Sequence, residues 1–135
     1  VKRLIVDANI LIRFLRADHP DHFEKVKRLF EKVEQGELRL VLLPAVMAEV
    51  VFVLSSFYEC NRKEIAEALH PFLFHGGIEC PESKILEDTL KRYASTNIDF
   101  MDCYVAATSL QTQTAVCSFD KDFRRFKDVD WVIPE

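Results

Sequence analysis

Glycine is scarce in this 135-residue chain, with three in all. So few, beside a 49% share of hydrophobic residues, argue against disorder and against a loop-rich scaffold. The four cysteines (Cys60, Cys80, Cys103, Cys117) are widely spaced and form no CxxC pair. That removes zinc ribbons and leaves them as small buried hydrophobes in a reducing cytosol. No apolar run reaches membrane-spanning length and no signal-peptide pattern opens the chain, so the expectation is a cytoplasmic protein without membrane attachment. Positive charge is not in excess either: 18 Lys and Arg stand against 22 Asp and Glu, for a net charge of −4. Dedicated nucleic-acid binders are usually basic, so an anionic polymer would have to be met by a local patch. There is no Gly-rich phosphate loop, no recognisable Ser-His-Asp set and no internal repeat.

What is present is organised around the opening stretch VKRLIVDANILIRFL. Leu4-Ile5-Val6 reads as a buried parallel strand, and Ile10, Leu11, Phe14 and Leu15 follow at helical spacing. Asp7 stands between them, where a strand ends and a helix begins, and ligands of open α/β sheets bind at that edge. A plain N-cap is the competing role.

Further on, Phe23, Val26, Leu29, Phe30 and Val33 make one face of an amphipathic helix that Gly36 ends. Residues 38–43 read as a strand, and residues 45–57 as a helix apolar nearly all round, with Glu49 its single charge. Asn61 and Glu64 form a capping box before a helix that Pro71 or Gly76-Gly77 ends. A short extended piece at 78–80 precedes helices at 83–94 and from 97–99 to about 110. Residues 115–117 and 129–133 read as strands around a short helix that starts near Ser118. Strands alternate with helices, which gives one α/β domain over 1–135: a mostly parallel sheet with helices on both faces, a three-layer α/β/α arrangement.

Four acids stand out by context. Asp7 ends the first strand, Asp120 follows the strand at 115–117, Asp102 lies one turn into a helix near Asp99, and Glu49 is alone in an apolar helix. If the first and fourth strands are neighbours, Asp7 and Asp120 converge at one edge and two helix starts bring in Glu49 and Asp102. Clustered carboxylates repel unless a cation joins them, and their oxygens suit Mg²⁺ or Mn²⁺. Such sites activate water and clamp phosphate oxygens. Plainer roles stand beside these. Asp99 reads as a helix cap, Asp102 can face the helix dipole, Asp120 can cap its short helix, and Asp122 can be solvated. Glu49 resists a plain role, because an acid inside an apolar helix is rarely buried without a partner. His19 and His22 flank Pro20 and read as loop residues. Arg13 near the first motif and Arg124 near the last supply cations for an anionic substrate.

With LIVDANIL, AVMAEV, DCYVAAT and SFDKDF in this order, the chain resembles PIN-domain proteins, and in size and layout the VapC-type toxin ribonucleases. The resemblance covers essentially the whole chain. It implies a Mg²⁺- or Mn²⁺-dependent endoribonuclease with Asp7, Glu49, Asp102 and Asp120 as its acidic cluster. Asp7, Asp102 and Asp120 would hold metal, while Glu49 would orient water or complete the site. Asn9 and Ser118 match small polar positions that support the site in that family, and Ser118 replaces the commoner Thr while keeping the hydroxyl. Asp122 would be auxiliary, and Asp99 competes with Asp102 as the direct ligand. The resemblance also implies a homodimer neutralised by a small antitoxin protein. Single-stranded or looped RNA is the expected substrate form, because a stiff duplex fits a narrow acidic pocket poorly. Two other readings remain open. A phosphatase would use Asp7 as nucleophile, but Asn9 stands where its second Asp belongs. A catalytically silent RNA- or partner-binding module would not need four intact acids.

Overall fold

Parallel strands cannot be joined by tight turns, so each strand of this chain is separated from the next by helical crossovers. The computed structural model describes residues 1–135. Strand β1 (Lys2–Ile5) leads through helices α1 (Ala8–Arg16) and α2 (Pro20–Glu34) to β2 (Leu38–Val41). Helices α3 (Pro44–Ser56) and α4 (Arg62–Leu69) and a 3-10 turn at His70–Phe72 connect β2 to β3 (Ile78–Glu79). Helices α5 (Ser83–Ser95) and α6 (Phe100–Thr112) connect β3 to β4 (Val116–Cys117), and a 3-10 helix at Lys121–Arg125 leads to β5 (Trp131–Val132). Strands β1, β2 and β3 pair in that order, β4 pairs with β5, and every pair is parallel. Six helices with a parallel sheet match the three-layer α/β/α expectation.

The caps explain where the helices begin. Asp7 accepts from the Ile10 N–H at the start of α1, and Asn61 accepts from the Glu64 N–H at 2.8 Å at the start of α4. Gly36, at φ 77°, supplies the left-handed turn after α2 that other residues adopt only with strain. Pro71 does not extend α4; the chain tightens there into the 3-10 turn.

One continuous core joins the elements. Leu40 and Leu42 from the β2 segment meet Leu11 and Ile12 of α1, Met47, Val50 and Leu54 of α3, Leu86 and Leu90 of α5, and Cys103 and Ala106 of α6. Each buried Leu, Ile, Val or Met side chain among these contributes about 1.5–3 kcal/mol. All four cysteines are free thiols, but only Cys103 is fully buried and Cys117 is exposed, so the expectation of four buried cysteines holds for one.

Three expectations are corrected by the packing. The opening strand was expected to be buried, yet Ile5 is 69% exposed and only Val6, just past the strand, is in the core. The reason is position: β1 lies at the end of the three-stranded sheet, and Ile5 shares its face with the ion-paired Arg3, Arg39 and Glu79. Strands β1 and β4 are not hydrogen-bonded to each other: β4 pairs with β5 in a separate two-stranded piece. Helix α3 is apolar nearly all round, but within the chain it is covered on one side only. It buries Met47, Val50, Val51 and Leu54 and leaves Glu49, Phe52, Ser55 and Ser56 outside. The burial argument for Glu49 therefore fails, since its carboxylate is in water.

Candidate active site at the strand ends

Carboxylates recur where strands end because a chain leaving a sheet must open a helix, and Asp satisfies the first free N–H groups. Asp7 does this for α1, its Oδ1 accepting from the Ile10 N–H at 3.4 Å, and it is exposed. Asp120 does it for the 3-10 helix, its Oδ1 accepting from the Asp122 N–H at 2.9 Å. The Asp120 N–H in turn donates to Ser118 Oγ at 2.9 Å, and Trp131 Nε1 donates to the Ser118 carbonyl at 2.9 Å. Ser118 thus pins the turn that presents Asp120. Asn9 is exposed in the first turn of α1.

Asp102 is half-buried in the first turn of α6. Burial pushes its carboxyl above the usual range, and the charges of Asp120, Asp99 and, to a lesser degree, Asp122 push the same way. Asp99 holds the N-cap position of α6, but its side chain makes no capping hydrogen bond and is left exposed beside Asp102. Asp122 lies 3.9 Å from Arg125 Nη1, whose same nitrogen donates to Asn97 Oδ1 at 2.7 Å.

The structure therefore brings Asp99, Asp102, Asp120 and Asp122 into one electrostatic neighbourhood. Neither Asp7 nor Glu49 ranks with the charges that chiefly perturb Asp102. No group of three or more His, Cys, Asp or Glu side chains is gathered closely enough to hold a metal ion. The donor chemistry still suits a hard cation: every acid in the neighbourhood offers oxygen, and the Asp102 carboxyl is raised first by burial and then by the Asp120 and Asp99 charges. What is not closed is the ligand ring.

The two arginines differ. Arg13 is half-buried, lies 3.7 Å from Asp18, and keeps its Nε buried without a partner. Arg124 is exposed on the 3-10 helix that Asp120 caps. His19 and His22 stack at 3.7 Å between ring centroids, and His19 Nδ1 accepts from the His22 N–H, so they serve the start of α2. One pair near the acids was missed in the sequence: the Tyr104 hydroxyl donates to Glu82 Oε1 at 2.5 Å, which with burial pushes the phenol up to about 12. Tyr104 lies inside the DCYVAAT stretch, but nothing local signals Glu82 as its partner.

Residues 4–129 match the family described as PIN domain. A VapC ribonuclease of Aquifex aeolicus (strain VF5) is 25% identical over 130 residues, which covers 93% of this chain and 95% of that protein. A family match over nearly the whole length, on a parallel α/β fold with acids at its strand ends, settles the relationship: the chain belongs to the PIN-domain family.

Proposed function

We propose that this protein is a Mg²⁺- or Mn²⁺-dependent endoribonuclease, the toxin of a toxin–antitoxin pair. It acts in the cytoplasm as a homodimer and is neutralised by a small antitoxin protein. The observation that carries the reading is the crowding of Asp102 by Asp99, Asp120 and Asp122 beside the end of β4. The full-length similarity to a VapC ribonuclease supports the choice of RNA as substrate.

The divalent cation supplies, when bound, Lewis-acid activation of water and neutralisation of phosphate charge. Asp102 and Asp120 would hold it, with Asp7 at the end of β1 as the third carboxylate. Glu49, exposed on α3, orients water or completes the site. Ser118 keeps Asp120 in place through the Asp120 N–H, while Asn9, Asp99 and Asp122 support the site from its margin. Single-stranded or looped RNA suits an acidic site because its flexible backbone can bend to approach it. Arg124 is the better phosphate contact of the two arginines, since Arg13 is engaged with Asp18.

Cleavage of end-labelled RNA with and without Mn²⁺ tests this. Asp7→Asn and Asp120→Asn should each lower cleavage by orders of magnitude while helical circular dichroism stays unchanged, because Asn keeps the cap and removes only the charge. Near-normal Mn²⁺-dependent cleavage by either variant would overturn the site. Cleavage by neither parent nor variants would favour a silent binding module.

A further inference from the structure

Between the first turns of α3 and α6 lies a cavity of about 320 Å³. Leu43, Pro44 and Ala48 wall one side, and Phe100, Met101 and Tyr104 the other. Its position ties it to the candidate acids. Ala45, also in the wall, stands one turn before Glu49 on α3, and Met101 directly precedes Asp102 on α6. Glu82 is the single charged residue in the lining. Its Oε1 accepts from the Tyr104 hydroxyl, and Glu82 stands exposed at the cavity rim. The Glu82 backbone is held in the left-handed region at φ 62°, a conformation a non-glycine residue keeps only when its surroundings impose it.

We propose that this cavity is a nucleobase subsite whose occupant is a guanine of single-stranded RNA. The proposal rests on the ribonuclease reading for its biological meaning, but the binding chemistry stands apart from cleavage. A base has two apolar faces and a polar edge, and RNA-binding proteins take unpaired bases between aromatic and apolar side chains. Met101 and Tyr104 offer such surfaces, above the buried Phe100. The edge must then meet a carboxylate, which only accepts hydrogen bonds and has lone pairs left on both oxygens. Guanine alone presents two adjacent donors there, N1–H and the N2 amino group. The amino groups of adenine and cytosine each sit beside an acceptor nitrogen, which a carboxylate repels. Uracil offers one N–H between two carbonyl oxygens. The Tyr104 hydroxyl bond fixes the carboxylate in one orientation, so the discrimination is built into the wall.

The test is the binding of the four ribonucleoside 5′-monophosphates in EDTA, followed by NMR at the Met101 methyl and the Tyr104 ring. The guanine nucleotide should bind about tenfold more tightly than the others. Glu82→Gln, which places a donor at the carboxylate, should erase that preference without lowering the melting temperature by more than a few degrees. Ala48→Phe fills the cavity and leaves Glu82 in place; it should remove binding of all four. Equal binding of the four bases, no binding at millimolar concentration, or a guanine preference that survives Glu82→Gln would overturn the subsite. RNA cleavage by the parent with Mn²⁺ is scored separately. Its absence would sink the nuclease reading while the binding data still judge the subsite.

Discussion

In EDTA at neutral pH, Asp102→Asn removes one of the charges that Asp99, Asp120 and Asp122 press together, and the variant is expected to melt higher than the parent. The sign follows from linkage. The folded Asp102 carboxyl titrates above its unfolded value, so its contribution to stability is complete below the unfolded pKa and is lost as pH rises through the folded one. Adding Mn²⁺ should narrow or reverse the order. A ligand at a hundredfold excess over its dissociation constant stabilises by about 2.7 kcal/mol, and the parent binds it better. Two melting curves per variant are sufficient. A lower melting temperature for Asp102→Asn in EDTA would make Asp102 a favourable partner of the α6 helix dipole instead.

At the scale of elements, α5 is tied to the turn before β5 through Arg92. Its guanidinium side chain is only 10% exposed; it donates to Asp88 and Asp128 and lies over the Phe126 ring. The shortest of these bonds is 2.6 Å, from Nη2 to Asp128 Oδ2. Arg92 holds the Asp128 carboxyl below the usual range, so this contribution is present above the unfolded pKa and is lost as pH falls through the folded one. Asp128→Asn leaves a largely buried cation short of an acceptor and should destabilise by about 1.5–3 kcal/mol in urea unfolding. Its stability should also fall less steeply on acidification than that of the parent. An unchanged urea midpoint would mean Asp88 alone satisfies Arg92.

For the whole molecule, the outward side of α3 and its end expose two large rings, Phe52 at 68% and Phe57 at 75%. Exposed apolar area of this kind is what an interface covers, and the proposed homodimer would cover it with one self-complementary surface. Light scattering at tens of micromolar should give twice the chain mass, and Phe52→Glu should shift it toward the monomer. A parent that scatters as a monomer contradicts the homodimer. On RNA, single strands should be cut faster than the same sequences in a perfect duplex, and equal rates would contradict a preference for a flexible backbone. Arg124→Ala should weaken RNA binding and reduce its salt slope by about one.

Local chemistry was enough to place the elements and the chain's acids on them. Asp7, Asn61 and Asp120 each cap the helix they precede, since a cap is decided by a residue and its next three neighbours. Periodicity told helices from strands for a similar reason, because one side of each element must face the core. What periodicity could not decide was how much lies beyond that side. Ile5 belongs to an apolar run and is exposed because β1 ends its sheet, and Glu49 belongs to an apolar helix and is exposed because α3 is covered on one side only. The neighbourhood of Asp102 with Asp120, and the bond between Tyr104 and Glu82, join residues 18 and 22 positions apart. Such pairs are set by crossover geometry and helix packing, which depend on the whole chain at once; the first was expected from the order of the motifs and the family resemblance, while only the tertiary structure could reveal the second.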